Sequence, residues 1–379
     1  MRRVLDFVKR EAVLCIAVLL ALVSMIFVPP DAEYVGYIDL RTLGILFCLM
    51  AVVAGLNGLG VFSVLAQKLL SGVKTVRSLV MVLVLMCFFF SMVITNDVAL
   101  ITFVPFTFEL LRLAGTQAER EWLVSAVALQ TAAANLGSML TPLGNPQNLY
   151  LYARAGMSAG GLIMLMLPYS ALSLLMIMLW AALRKGSGAI SVSFSEKKEI
   201  TGKKRLVMYF ALFVVCLLAV LRLLWWQAAA AVVLVCVLAA DRKVLKRIDW
   251  GLLVTFAAFF VFVGNMGRIE AFRTFLEGIV AGNEVLMAVA SSQIISNVPA
   301  ALLLSGFSEN IPALIIGTDL GGLGTLIASM ASLISYKLLC AQRPQEKGRY
   351  MACFTASNVI MLAVLLGEYF ALNALGVYS

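Results

Sequence analysis

Ile94-Thr95-Asn96-Asp97-Val98 sets three polar residues between two apolar arms, and Ile295-Ser296-Asn297-Val298-Pro299 repeats the idea 201 residues later. Asparagine is a poor helix former and proline cannot continue a helix. Each triplet therefore predicts a break in a segment otherwise hydrophobic enough to lie in lipid. Broken backbone at membrane depth is tolerated only where protein or a water-filled cavity satisfies it. The two tips are read as a binding site, and the chain around them as the frame that carries it.

Composition sets the class. The 379 residues are 62% hydrophobic and 13% charged, with a mean hydropathy of +1.00, far more apolar than an ordinary globular domain. The expected fold class is an all-α polytopic membrane protein. The apolar run 12 to 28 follows Arg2, Arg3, Lys9 and Arg10, but no Ala-x-Ala-like site follows and Pro29-Pro30-Asp31 comes next, so it is read as a first transmembrane helix and not a signal peptide. The cysteines at 15, 48, 87, 216, 236, 340 and 353 form no CxxC pair and lie mostly in apolar runs, which makes them packing residues. There is no histidine, which removes His-based proton relays, metal sites and Ser-His or Cys-His catalysis. Proton chemistry falls to carboxylates.

The net charge of +9 tracks membrane sidedness, not nucleic acid. Apolar spans are drawn at 12 to 28, 41 to 56, 122 to 156 (interrupted), 160 to 183, 206 to 222, 226 to 240, 250 to 264, 312 to 339 (interrupted) and 350 to 376. The polar-tipped hairpins, 78 to 112 and 285 to 307, lie between them. If each hairpin enters and leaves on one side, one set of connecting loops holds 24 of the 29 Lys and Arg, leaving Arg41, Arg154, Arg222, Arg268 and Arg273 on the other. The positive-inside rule then puts the N-terminus inside and the C-terminus outside, with nine crossings in the cytoplasmic (inner) membrane.

An internal repeat emerges when the halves are aligned. Asp39 to Leu56 resembles Asp249 to Asn265, Thr95-Asn96 matches Ser296-Asn297, and Asn135-Leu136-Gly137-Ser138 matches Asp319-Leu320-Gly321-Gly322 at an offset of 184. The expected organisation is a first repeat over 1 to 183 (hairpin 78 to 112, broken helix 122 to 156) and a second over 226 to 379 (hairpin 285 to 307, broken helix 312 to 339). Between them, 184 to 225 supplies a basic cytoplasmic loop, for which lipid headgroup contact is a minor extra, and a linker helix. By the charge count the first hairpin opens inward and the second outward, so the repeats are inverted, as in many secondary transporters. The arms of the second hairpin, 286 to 295 and 299 to 306, reach only about 15 and 12 Å at about 1.5 Å per residue, short of a core of about 30 Å. That hairpin is expected to be re-entrant, and the repeat extends the expectation to the first.

The run Gly137-Ser138-Met139-Leu140-Thr141-Pro142-Leu143-Gly144-Asn145-Pro146-Gln147-Asn148 concentrates glycine, proline and amides between apolar halves. Its partner is Gly317-Thr318-Asp319-Leu320-Gly321-Gly322-Leu323-Gly324-Thr325, followed by Ser329 and Ser332. Unwinding there exposes carbonyls that hold a cation and half-helix N-termini that hold an anion. Such breaks also occur as kinks filled by neighbouring helices, but four polar breaks related by a repeat favour a binding site.

Thr95-Asn96-Asp97-Val98-Ala99-Leu100, Thr141 to Asn148, Ser296-Asn297-Val298-Pro299 and Gly317-Thr318-Asp319-Leu320-Gly321 resemble the ion-transporter superfamily of citrate-transporter-like permeases, which includes sodium-coupled dicarboxylate symporters and arsenite-efflux permeases. The resemblance covers about 85 to 156 and 285 to 340. It implies a homodimer and an elevator motion, in which hairpins and broken helices slide against a scaffold. In the dicarboxylate branch each tip reads Ser-Asn-Thr, contacting sodium and substrate carboxylates. Asn96 and Asn297 match its asparagines, and Thr95 and Ser296 its first hydroxyls, while Asp97 and Val298 stand where it has threonine. The Asn-Asp tip and the Thr-Asp-Leu-Gly look more like the arsenite-permease branch, and Gly-Asn-Pro-Gln-Asn more like the citrate-like branch.

Together these features predict substrate contacts from Asn96, Asp97, Thr141, Pro142, Gly144, Asn145, Asn297, Val298 and Thr325. The ion ligands expected, for sodium if it is the coupling ion, are Thr95, Asn96, Asp97, Asn135, Gly137, Asn148, Ser296, Asn297, Thr318, Asp319 and Ser329. The expected function is ion-coupled secondary transport of a small carboxylate or inorganic oxyanion, driven by sodium or protons. No nucleotide-binding loop, other cofactor or catalytic role is expected. Proton-coupled arsenite or metalloid efflux, or sodium/proton antiport, is the alternative. From other classes, Asp97 and Asp319 as a membrane aspartyl protease pair lack the Gly-x-Gly-Asp context, and a channel would show unsaturable flux.

Overall fold

The computed structural model describes residues 11–184, 188–190 and 199–377. Arg2, Arg3, Lys9 and Arg10, and Gly186, Ser187, Lys197 and Lys198 of the polar loop, lie outside the described residues. The regular secondary structure of the described residues is helical apart from an isolated bridge between Thr75 and Ala189.

The first half runs α1 (Ala12–Phe27), the single turn α2 (Tyr34–Tyr37), α3 (Leu40–Gly58), α4 (Val61–Leu70), the hairpin α5 (Val76–Ile94) and α6 (Asn96–Leu113), the broken pair α7 (Thr116–Ser138) and α8 (Pro146–Ala155), and α9 (Ala159–Leu183). A connecting helix, α10 (Lys203–Val220), follows. The second half runs α11 (Trp226–Ala240), a 3-10 segment Arg242–Arg247, α12 (Trp250–Arg268), α13 (Glu270–Val280), the hairpin α14 (Glu284–Ile295) and α15 (Asn297–Ser305), the broken pair α16 (Ile311–Leu320) and α17 (Met330–Gln342), and α18 (Lys347–Ala374). Five of these helices are individually long and apolar enough to cross a membrane, or six with α13 and α14, bent by 112°, taken as one span. The chain is a multi-pass membrane protein.

Local chemistry sets the boundaries. The Thr75 side chain accepts from the Ser78 N–H, and Ser78 Oγ returns the contact to the Thr75 backbone, a capping box on α5 worth about 1 kcal/mol. Asp39 and Asp249 cap α3 and α12 in the same way, accepting from the N–H groups of Thr42 at 3.0 Å and Leu252 at 2.9 Å.

The packing exchanges elements between the halves. Helix α1 lies on α12, whereas α11 and α10 lie on α3. Helix α7 packs on its own hairpin, α5 and α6, but its continuation α8 crosses to α15 and α16. Conversely, α16 packs on α14 and α15 while α17 crosses to α6 and α7. Close approach of α7 to α5 requires glycine: a Cβ at Gly137 would run into the Phe88 carbonyl and lie 2.7 Å from Ser91 Oγ. Gly321 meets Ser292 Oγ at 2.6 Å in the same manner in the other half.

Outside the spans, Arg268 binds Asp31 at 2.6 Å and Tyr37 Oη at 3.2 Å, fastening the loop after α1 to the end of α12. The guanidinium holds the Asp31 carboxyl below the usual carboxylate range.

The tips depart from the expected three-residue breaks. Only one residue leaves the helix at each, Thr95 (φ 74°, ψ 150°) and Ser296 (φ 74°, ψ 154°), and Asn96 and Asn297 already open the next helices. Asparagine disfavours helix interiors but suits helix starts, where its side chain meets free backbone N–H groups; Asn96 Oδ1 accepts from Asp97 N at 2.9 Å. Pro299 is the third residue of α15, where its missing N–H removes no intrahelical bond. The hairpins also differ in length: α14 and α15 have 12 and 9 residues, α5 and α6 have 19 and 18.

Candidate functional site

Thr95 and Ser296 occupy a backbone region used almost only by glycine, at a cost on the order of 1–3 kcal/mol each. Surrounding bonds hold them there. The first N–H of each outgoing arm, with no partner in its own helix, donates into a broken helix: Asn96 N to the Gly144 carbonyl at 3.0 Å, and Asn297 N to the Ala328 carbonyl at 2.9 Å. Thr141 Oγ1 donates to the Met92 carbonyl, and Thr325 Oγ1 to the Gln293 carbonyl at 3.3 Å. All four breaks therefore meet, each hairpin tip bonded to one interruption.

Two buried knots link the interruptions. In the first, Asn135 Oδ1 accepts from Asn96 Nδ2 at 3.1 Å and from Ser329 Oγ at 3.0 Å, while Asn135 Nδ2 donates to Ser332 Oγ at 3.3 Å and to the Gly322 carbonyl at 3.4 Å. In the second, Asn145 caps α8 by accepting from Asn148 N at 2.8 Å. Its Nδ2 donates to Ser138 Oγ at 3.2 Å and to Asp319 Oδ1 at 3.1 Å.

Among the described residues at the knots and the first tip, three acceptor oxygens remain enclosed without a donor: Asp319 Oδ2, Asn148 Oδ1 and Asp97 Oδ1. An unpaired buried acceptor costs about 1–3 kcal/mol, more when charged, and a cation or proton is what completes an enclosed carboxylate. Among the described residues no three His, Cys, Asp or Glu side chains converge. The available donors are carboxylate, amide, hydroxyl and carbonyl oxygens, the set suited to a hard cation.

Beside the first tip lies a cavity of about 200 Å³ lined by Thr95, Asp97, Val98, Pro142, Leu143, Asn145 and Pro146, with Arg247, Asp249, Met330 and Ile334 across from them. A second cavity of about 160 Å³, lined by Val298, Pro299, Glu11 and Lys337, shares the Asp249, Leu252, Met330 and Ile334 wall.

Of the residues singled out in the sequence, Thr95, Asn96, Asp97, Asn135, Pro142, Asn145, Asn148, Asp319 and Ser329 fall in the knots or the cavity they border, and Val298 lines the second cavity. Several others are committed elsewhere. The Gly144 carbonyl is taken by Asn96, Gly137 is a packing glycine, Thr318 Oγ1 donates to the Leu314 carbonyl at 2.8 Å, and Ser296 Oγ contacts the Ala328 carbonyl at 3.4 Å. Thr325 is exposed and tied to Gln293 through its N–H at 2.8 Å as well as its hydroxyl. Asn297 Nδ2 lies against Gly322.

Sequence reasoning missed Gln293, whose Nε2 holds the Gly321 and Leu323 carbonyls at 2.9 and 3.0 Å, and it missed Arg247 and Asp249. Asp249 was visible only as a repeat marker and Arg247 only as a loop charge, because folding alone carries 242–249 to the first tip.

The family model described as a citrate transporter matches residues 4–331. A protein of Methanocaldococcus jannaschii described only as an uncharacterized transporter is 31% identical over 325 residues, covering 85% of this chain and 87% of its own. The inner membrane protein YbiR of Escherichia coli is 32% identical over 323 residues, covering 82% of this chain and 83% of its own. A multi-pass helical chain whose interruptions converge on a buried polar site, matched over most of its length in this way, is a membrane transporter and belongs to the citrate transporter family.

Proposed function

We propose that the protein is an ion-coupled secondary active transporter of a small anion, of the carboxylate or inorganic oxyanion class, in the cytoplasmic membrane. Sodium or protons drive it. The observation that carries this reading is the buried polar meeting point of two hairpin tips and two broken helices, with the orphaned oxygens of Asp319 and Asn148 inside it. Orphaned oxygens support cation coupling, and Arg247 among the residues lining the adjoining cavity supports an anionic substrate. The description of the matching family supports a carboxylate such as citrate.

The halves act as inverted repeats, N-terminus inside and C-terminus outside, and the hairpins with the broken helices form a body that slides as an elevator in a homodimer. Matched backbone angles at Thr95 and Ser296, the recurring element order and the loop charges support the repeat. The Escherichia coli relative, named an inner membrane protein, supports the location.

Two carboxylates in the same cavity, Asp97 and Asp249, favour a second reading, exchange of a cation or metalloid for protons. Purified protein in liposomes separates the two. Labelled citrate, other di- and tricarboxylates, phosphate and arsenite are offered under an imposed sodium or pH gradient. Saturable anion uptake under one gradient is expected. Proton release driven by sodium or arsenite, without anion uptake, overturns the first reading in favour of the second.

A further inference from the structure

A cavity of about 500 Å³, separate from the hairpin tips, is lined by Arg41, Arg222, Leu224, Trp225, Trp226 and Gln227. Arg41 stands in the first turn of α3, and the others belong to the junction of α10 and α11. We infer that this cleft binds the phosphate of an anionic glycerophospholipid.

Its charge is the first argument. Among the described residues no carboxylate lines the cleft. The nearest in sequence, Asp39, has its oxygens on the Thr42 N–H and hydroxyl at 3.0 and 2.5 Å. Arg41 has no hydrogen bond or ion pair to another described residue. Arg222 spends its guanidinium on main-chain carbonyls, those of Gly156 at 3.0 Å, Tyr152 at 3.1 Å and Ala153 at 3.4 Å, and lies 5.1 Å over the Tyr152 ring. Among the described residues two positive charges therefore share one cleft without an acid to neutralise them. Arg41 keeps its donors for a phosphate, which accepts from an arginine with strong, directional bonds, while Arg222 adds charge. Helix α11 starts at the cleft with no side chain capping it, which leaves N–H groups and the positive end of its dipole for an anion.

The surroundings favour a lipid over free phosphate. Trp225 is 83% exposed and Leu223 73% exposed. An indole beside basic side chains suits the headgroup level of a bilayer, and the exposed leucine offers apolar surface to acyl chains. Trp226 is pressed against Gly44, 2.8 Å from where a Cβ would stand, and this fixes the start of α11 on α3.

The site also reaches the transport machinery. Arg222 holds a left-handed backbone (φ 63°) and clamps the carbonyls that end α8, and the start of α8 carries Asn145. A headgroup seated there stabilises α8 at the end opposite to the polar knot.

The test uses full-length protein in neutral detergent micelles with added phosphatidylglycerol, phosphatidylcholine or inorganic phosphate, read by native mass spectrometry and by thermal unfolding. Phosphatidylglycerol is expected to be retained one per chain and to raise the unfolding midpoint. Arg41→Gln, which breaks no described bond, is expected to weaken retention about fivefold to tenfold, while Arg273→Gln leaves it unchanged. Equal retention by wild type and Arg41→Gln overturns the site. Equal retention of phosphatidylcholine overturns the requirement for an anionic lipid. Arg41-dependent stabilisation by inorganic phosphate without lipid retention overturns the lipid assignment.

Discussion

Asn145 and Asp319, 174 positions apart, are joined by a single 3.1 Å hydrogen bond between the break of one broken helix and the last turn of the other. The other Asp319 oxygen is enclosed with no hydrogen-bond partner in place among the described residues, although the Asn148 and Gln147 side chains stand near the carboxylate. The bond is thus a structural tie that leaves one oxygen of a buried carboxylate open. Replacing Asn145 by Ala is expected to destabilise the protein by about 1–3 kcal/mol, because it removes the one well-formed hydrogen bond to a buried carboxylate. Adding Asp319→Asn to Asn145→Ala is expected to restore part of that loss. Unfolding midpoints of the two single variants and the double variant check the coupling; strictly additive effects would count against it.

The tips store strain that glycine would release. Thr95→Gly is the cleaner change, since no side-chain hydrogen bond is lost, and it is expected to stabilise the fold by up to about 1 kcal/mol while slowing transport. Melting and liposome uptake on one preparation test it, and a lower melting temperature would show that the Thr95 side chain matters more than its backbone.

Arg247 and Asp97 line one cavity from opposite halves of the chain. If Arg247 draws the anion in, Arg247→Gln is expected to raise KM about fivefold to tenfold with little change in maximal rate, by loss of about 1 kcal/mol or slightly more of charge attraction. The assay is concentration-dependent uptake in vesicles of defined orientation. A fall in maximal rate at constant KM would place Arg247 in the moving parts, not in recruitment.

Asp97 has one oxygen enclosed without a donor and its side chain at the cavity wall. Asp97→Asn is expected to flatten the pH dependence of transport while ligand binding stays measurable; Asp319→Asn is expected to weaken cation dependence instead. Uptake from pH 5.5 to 8.5, paired with a ligand-induced thermal shift, separates the two. An unchanged pH profile in Asp97→Asn would remove it from proton coupling.

Much of this arrangement was legible in the sequence because lipid leaves few ways to bury polar backbone. Apolar runs and turn residues marked the hairpins, and clustered glycine, proline and amide residues marked the broken helices. The extent of each tip was not legible. Asparagine reads as a helix breaker from composition, yet the tip residue before it takes the strain and Asn96 and Asn297 start helices. Nor were the cross-chain partners. Nothing in the strings around Asn135 and Ser329 announces that they bond to each other, and Arg247 reads as one more positive charge on a loop. Such contacts depend on how helices cross, which hydropathy does not encode.

The exchange of half-helices has a thermodynamic consequence. Since α8 begins in one interruption and ends among the helices of the opposite hairpin, and α17 does the reverse, neither interruption can be ordered alone. If a cation settles beside Asp319 as proposed, its free energy is expected to be felt at Asn135 through Ser329 and α17, with the reverse transfer following by linkage. On that proposal, positive cooperativity between the two loading events would follow from the chain's connectivity. A carrier interlocked in this way disfavours the partly filled intermediate through which an uncoupled leak would run.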